Sequence, residues 1–220
     1  MGLFKQRNCK MENGTEIASR IERAYKGLWL WSIIGAIVTL IAFGTGFICF
    51  GIDLQSVIPV EKNSPQAIAF LVVFIVAVIA CLALSILAFV SLVRFLYNVW
   101  KTVAKPTDKI GAGWRVFWLF VPLVALITSF FFYWEFAKRA NEKLAILNKP
   151  KQVGETSILC FCILNVISAF FNENFLPKEN PVLLIILSVI FFVLAIISLV
   201  LLVRWIIQAK RAAITLANNS

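Results

Sequence analysis

Five long apolar runs, separated by short charged stretches, dominate the chain. The first, residues 28–50, contains 23 residues without a charge, about 34 Å as a helix. The second, 67–93, contains 27, about 40 Å, so it must tilt or protrude from a hydrocarbon layer roughly 30 Å thick. The fifth, 182–203, contains 22, about 33 Å. These three predict membrane-spanning helices. The third run, 116–134, has 19 residues, about 28 Å, but carries Pro122 in its first half. A proline there removes a donor and breaks or kinks the helix. The fourth, 157–171, has 15 residues, about 22 Å, and includes Asn165. It crosses only with a tilted or extended end, or else lies in the interface.

Composition makes lipid the solvent for these runs. Hydrophobic residues make up 61% of the chain and charged residues 15%, against about 45–50% apolar in a soluble domain. The mean hydropathy is +0.90. A soluble fold of this size could not cover so much apolar surface.

Charge then orients the runs, because Lys and Arg resist translocation and collect in short cytoplasmic loops. Residues 1–27 hold Lys5, Arg7, Lys10, Arg20, Arg23 and Lys26; residues 94–115 hold Arg94, Lys101, Lys105, Lys109 and Arg115. Residues 134–157 hold Lys138, Arg139, Lys143, Lys149 and Lys151, and the tail holds Arg204, Lys210 and Arg211. Only Lys62 and Lys178, of 21 basic residues, fall in the two remaining loops, 52–66 and 172–181, beside Asp53, Glu61, Glu173 and Glu179. All four basic regions share the cytoplasmic side only if the third run enters and leaves on one side. That predicts a re-entrant or interfacial segment bent near Pro122, a break tolerated where protein covers the backbone or water fills a cavity. The alternative is a fifth, proline-kinked span.

A short internal repeat supports the paired arrangement. Residues 91–98 read SLVRFLYN and residues 201–208 read LLVRWIIQ. Both runs also follow a proline, Pro65 and Pro181, which suits a first helical turn. The predicted fold is therefore all-α: a polytopic membrane helix bundle of two helical hairpins, four spans in all, plus the broken segment. Its parts are an amphipathic N-terminal segment (1–27), a first hairpin (28–98), and a basic region (99–151) with a membrane-embedded stretch at 114–134. A second hairpin (152–208) and a tail (209–220) follow.

Several side chains stand out within this frame. Ile17, Ile21, Tyr25 and Leu28 form one stripe, with Glu16–Arg20 and Glu22–Lys26 pairs opposite. This stripe reads either as a surface helix drawn to anionic lipid or as a lead-in to the first span. Glu135 lies just past an apolar run, where it serves a proton path or, as the simpler reading, pairs with Arg139. The helix containing it is expected to stop at Asn148-Lys149-Pro150. Arg94 and Arg204 follow long uncharged runs and are expected to snorkel to phosphates, or to face inward and hold the broken segment. Ala77, Cys81 and Ser85, and Ala42 with Gly46, form small-residue stripes suited to close helix packing.

Catalytic chemistry finds no carrier. The chain has no His, the commonest general base and metal ligand near neutral pH, and no paired carboxylates within its runs. Four of the five cysteines, Cys49, Cys81, Cys160 and Cys162, lie in apolar runs as small hydrophobes, and Cys9 is near the start. Two apart on a helix, Cys160 and Cys162 point about 200° apart. No catalytic residue, cofactor, metal or nucleic-acid partner is expected. The polar first 26 residues argue against a cleaved signal peptide. Gln6 argues against myristoylation at Gly2. The glycosylation-type triplets at Asn13 and Asn218 fall on the predicted cytoplasmic side.

Arg94, Asn98, Gly113, Trp114, Phe120 and Pro122, with Arg204 and Gln208 late in the chain, carry a resemblance. Over roughly residues 28–211 the chain is similar to small multi-span bacterial membrane proteins. These form a family described as a domain of unknown function with a Gly-Trp…Phe-x-Pro segment. That family usually has Asn shortly after the proline, where this chain has Ala125, so a polar role there does not carry over. The resemblance implies the architecture and a bacterial inner membrane; the charge distribution puts both termini in the cytoplasm. The expected function is a non-enzymatic membrane scaffold or complex subunit that oligomerises, or joins a partner membrane subunit, and recruits partners or anionic lipid at the cytoplasmic face. The alternative is a channel or transporter for a small or apolar substrate.

Overall fold

The computed structural model describes residues 2–46, 65–105, 107–170 and 181–219. Among the described residues there is no strand. The helices are α1 (Gly2–Gly46), α2 (Pro65–Val103), α3 (Ala112–Trp118), α4 (Pro122–Ser129), α5 (Glu135–Ile146), α6 (Glu155–Phe170) and α7 (Pro181–Asn218), with a π-helical turn at Phe130–Trp134 between α4 and α5. Three stretches are long and apolar enough to cross a membrane: Gly14–Ile41, Val72–Val103 and Ile186–Asn218. The apolar helix over Glu155–Ser168 is shorter.

Both α2 and α7 change their surroundings part-way along. Val76, Ile79, Leu82 and Ile86 on α2, and Val189, Phe192, Leu199 and Val200 on α7, are exposed. Beyond Arg94 and Arg204, both exposed themselves, the same helices carry fully packed side chains: Phe95, Leu96, Val99, Trp100 and Val103, then Trp205, Ile206, Ala209, Ala212 and Ala213. An apolar sleeve needs lipid around it, whereas the packed ends bury their apolar area against protein.

The chain forms two compact units, Met1–Glu22 with Phe95–Ser220, and Arg23–Arg94. In the second unit α1 and α2 run antiparallel, since contacts pair falling with rising numbers. Gly27 lies against Ser91, where an added Cβ would come within 3.1 Å of the hydroxyl, and Gly35 lies against Leu84. Thr39 Oγ1 is 3.6 Å from Cys81 Sγ.

In the first unit the aromatic core gathers Trp100, Phe132, Phe136 and Trp205, with Trp100–Phe132 and Phe136–Trp205 centroids 5.3 and 5.5 Å apart. Tyr133 stands edge-on to Trp205 at 4.8 Å. Small residues on α5 (Ala137, Ala140) and α7 (Ala209, Ala212, Ala213) are fully buried, which lets these helices approach closely. Helix α5 ends as expected before Pro150. Asn148 takes the left-handed conformation (φ 53°), Lys149 N–H donates to Leu144 O and Asn148 N–H to Ala145 O. This is a Schellman stop with Asn in the usual glycine position.

Candidate functional site

The third apolar run is not one helix. It leaves α3 at Trp118, turns through Leu119–Val121 and restarts at Pro122, where the missing N–H is no loss because a first-turn donor has no helical partner. The restarted helix lies back along α3, and the Thr128 hydroxyl is 3.2 Å from Trp118 O. A π-helical turn follows, and then α5 continues.

The two ends of this stretch meet in a cluster of four charges. Arg115 Nη1 donates to Glu135 Oε2 at 2.8 Å. Arg139 donates from Nη1 to Asp108 Oδ2 and from Nη2 to Glu135 Oε1, each at 2.6 Å. Both guanidinium groups also face Trp100, with their carbons 4.5 Å (Arg115) and 5.7 Å (Arg139) from its ring centroid. All four ionic side chains are largely shielded from solvent, where paired charges gain more than surface pairs. Lys143 adds a second tie, its ammonium donating to Thr102 O at 2.9 Å and Ala104 O at 3.4 Å at the end of α2. A cation there satisfies orphan carbonyls.

The charges shift accordingly. The Arg139 hydrogen bond, helped by the Lys105 backbone N–H, lowers the Asp108 carboxyl to about 2. The same bond to Asp108 raises Arg139. Burial, with Lys105 and Arg139 nearby, lowers Lys143. Because the Asp108 pKa is depressed on folding, its contribution is present above the unfolded value of about 3.9 and is lost as pH falls towards 2. Thermal unfolding in detergent across pH 5 to 2 is therefore expected to show the natural chain losing stability relative to Asp108→Asn. Parallel curves would show that the pair contributes nothing.

A second clamp closes the α5–α6 connection. The buried Asn141 amide donates to Val153 O at 2.8 Å and Glu155 Oε1 at 2.9 Å. Its oxygen accepts from the backbone N–H of Gln152 and Val153, each at 3.3 Å. Gly154 N–H donates to Gln208 Oε1 at 3.0 Å, joining this loop to α7.

A cavity of about 300 Å³ sits between α3 and the returning arm. Ile110, Trp118, Phe131 and Phe132 form its apolar walls, and Arg115 and Glu135 its polar end. Among the described residues no cluster of Cys and carboxylates could hold a metal.

The singled-out residues fall in different places. Glu135 lies in the charge cluster and makes the expected pair with Arg139. Trp114 is exposed, stacked on Trp118 and edge-on to Phe117. Gly113 has room for a side chain, since an added Cβ would sit 3.9 Å from the Tyr97 ring. Pro122 starts α4; its surroundings, like those of Ala42 and Gly46 in α1, lie outside the described residues. Arg94 and Arg204 are exposed at the change of surroundings on α2 and α7. Of the α2 stripe, Ala77 and Cys81 are half-buried, while Ser85 is exposed and donates to Cys81 O. A strict four-residue repeat drifts 40° per step, and the half-buried line continues through Leu84, Ala88 and Ser91 instead. Cys160 is exposed and Cys162 buried, on opposite faces of α6.

No family model, curated protein or solved structure matches this chain. Asp108, Arg115, Asn141 and Trp100 were not singled out by sequence, and Arg139 only as the partner of Glu135. Their partners lie 20 to 31 residues away for the ion pairs, beyond the reach of helical periodicity.

Proposed function

We propose that this chain is a non-enzymatic membrane subunit. It has four spans in two helical hairpins, a re-entrant segment over 114–134, and a basic helical head that oligomerises and recruits anionic lipid or a partner at the cytoplasmic face. One observation carries the reading: the entry and exit of the broken segment are bonded to each other, through Arg115–Glu135 and Asp108–Arg139. From Pro122 to Glu135 the arm is about 20 Å long, too short to cross a hydrocarbon layer of roughly 30 Å. A tip that goes in this far and returns to its starting level fits a wedge in one leaflet, with Trp114, Phe117 and Trp118 in lipid or at its surface.

Two further contacts support the topology. Lys143 bonds the end of α2, and Gly154 bonds α7 beyond Arg204. Basic regions 94–115, 134–157 and the tail are then at one level, as the positive-inside bias requires. The exposed basic residues of this face suit anionic headgroups or an acidic partner. In this reading both termini are cytoplasmic, supported by the basic residues of the N-terminal segment and the tail.

The helix break at Pro122, with a cavity between α3 and the returning arm, favours a channel or transporter as second reading, since such sites sit at interrupted helices. Reconstitution separates the two. The full chain in liposomes is expected to give no ion or dye flux above empty vesicles, and a defined oligomer in mild detergent. Flux that disappears in Pro122→Ala or Arg94→Gln would replace the scaffold with a conduit.

A further inference from the structure

The cavity beside the π-helical turn has the chemistry of a ligand site. Its volume of about 300 Å³ lies at the lower end of ligand pockets, enough for part of one acyl chain and too small for a whole two-chain lipid. Phe131 and Phe132 enter its wall from successive positions of the π turn, one exposed and one buried. Such turns recur at functional sites because they re-aim side chains within a helix. The polar end is formed by two oppositely charged groups, the Arg115 guanidinium and the Glu135 carboxylate.

We infer that this crook holds one zwitterionic phospholipid with a primary ammonium head, its phosphate on Arg115, its ammonium on Glu135 and the start of one chain between Trp118 and Phe131. The inference rests on the re-entrant reading, which makes bilayer lipid the medium at the cavity mouth. Charge selects the head. A lone anion there meets Glu135 and a lone cation meets Arg115, and the four-charge cluster with Asp108 and Arg139 sums to zero. A zwitterion matches both ends. Arg115 can engage a phosphate without leaving its partners: of its five N–H groups, the bonds to Glu135 Oε2 and Ile110 O use two. Each Glu135 oxygen accepts one guanidinium bond and retains a further lone pair. A primary ammonium donates N–H bonds to that carboxylate, which a quaternary choline cannot.

The test measures lipid retained by the full chain in detergent, by native mass spectrometry, after addition of dioctanoyl phosphatidylethanolamine, phosphatidylcholine or phosphatidylglycerol. One saturable phosphatidylethanolamine is expected, bound about tenfold more tightly than either other lipid, the worth of one charge-assisted hydrogen bond. Phe131→Ala removes an exposed wall and leaves the core intact. It is expected to weaken this binding several-fold while the unfolding temperature without lipid is unchanged. Equal retention of the three lipids, preference for phosphatidylglycerol, or unaltered binding in Phe131→Ala would overturn the site. Loss of the lipid preference with residue 149 still inaccessible from outside the cell would sink this site alone; accessibility there would sink the re-entrant reading beneath it.

Discussion

Replacing Trp100 by alanine is expected to destabilise the chain by roughly 4 kcal/mol, the usual cost of a large aromatic removed from a closed core. Trp100 is fully buried and touches both halves of the first unit's core. Its ring lies 5.3 Å from Phe132 and 6.1 Å from Phe136, and both cluster arginines face it. The substitution thus removes packing and also the aromatic face that shields two guanidinium groups. The indole N–H has no hydrogen-bond partner, so Trp100→Phe loses volume only and is expected to cost about 1–2 kcal/mol. Ile79→Ala, on the exposed sleeve of α2, is expected to stay within about 0.5 kcal/mol. Unfolding by SDS titration or heat, followed by circular dichroism, measures all three. If Trp100→Ala behaves like Ile79→Ala, the packed head does not exist.

Asn141→Ala is expected to cost about 3 kcal/mol. The side chain is almost fully buried and satisfies both the N–H and the C=O of buried Val153. Each buried polar group left without a partner costs roughly 1–3 kcal/mol. Asn141→Asp is expected to cost more. A carboxylate cannot donate to Val153 O, and it would face the Glu155 carboxylate across the present 2.9 Å amide bond. The order Asn141→Asp, then Asn141→Ala, then the natural chain in rising unfolding temperature checks the clamp. An Asp variant as stable as the natural chain would mean that the amide bonds are not formed.

What the sequence made legible follows from what each signal encodes. Hydropathy reports local burial in lipid or protein, so the apolar runs locate α2, α6 and α7, and Pro65 and Pro181 mark the starts of α2 and α7. Steric exclusion at proline is also local, and the break before Pro122 was expected. The i, i+4 rule found Glu135–Arg139. Three things escaped. Helix α1 begins already at Gly2, ahead of the amphipathic stretch that the lead-in reading joined to the first span. The helices α2 and α7 continue past Arg94 and Arg204, where a charge marks the end of an apolar run rather than the end of a helix. The Asp108–Arg139 and Arg115–Glu135 pairs and the Asn141 clamp depend on which segments fold together, and no periodicity records that. The cavity escaped for the same reason, since its walls come from α3, the π turn and the loop before them.

The side of the membrane on which α5 lies tests the topology most directly. In a chain with all five native cysteines replaced, a single cysteine at the exposed Lys149 position is probed with a membrane-impermeant maleimide in intact cells. A second variant, Ser56→Cys in the 52–66 loop, serves as the outward control. With the broken segment returning to its side of entry, Ser56→Cys is labelled in intact cells and Lys149→Cys only after permeabilisation. Equal labelling of the two in intact cells would mean that residues 114–134 cross the membrane, and the paired-hairpin arrangement would be wrong.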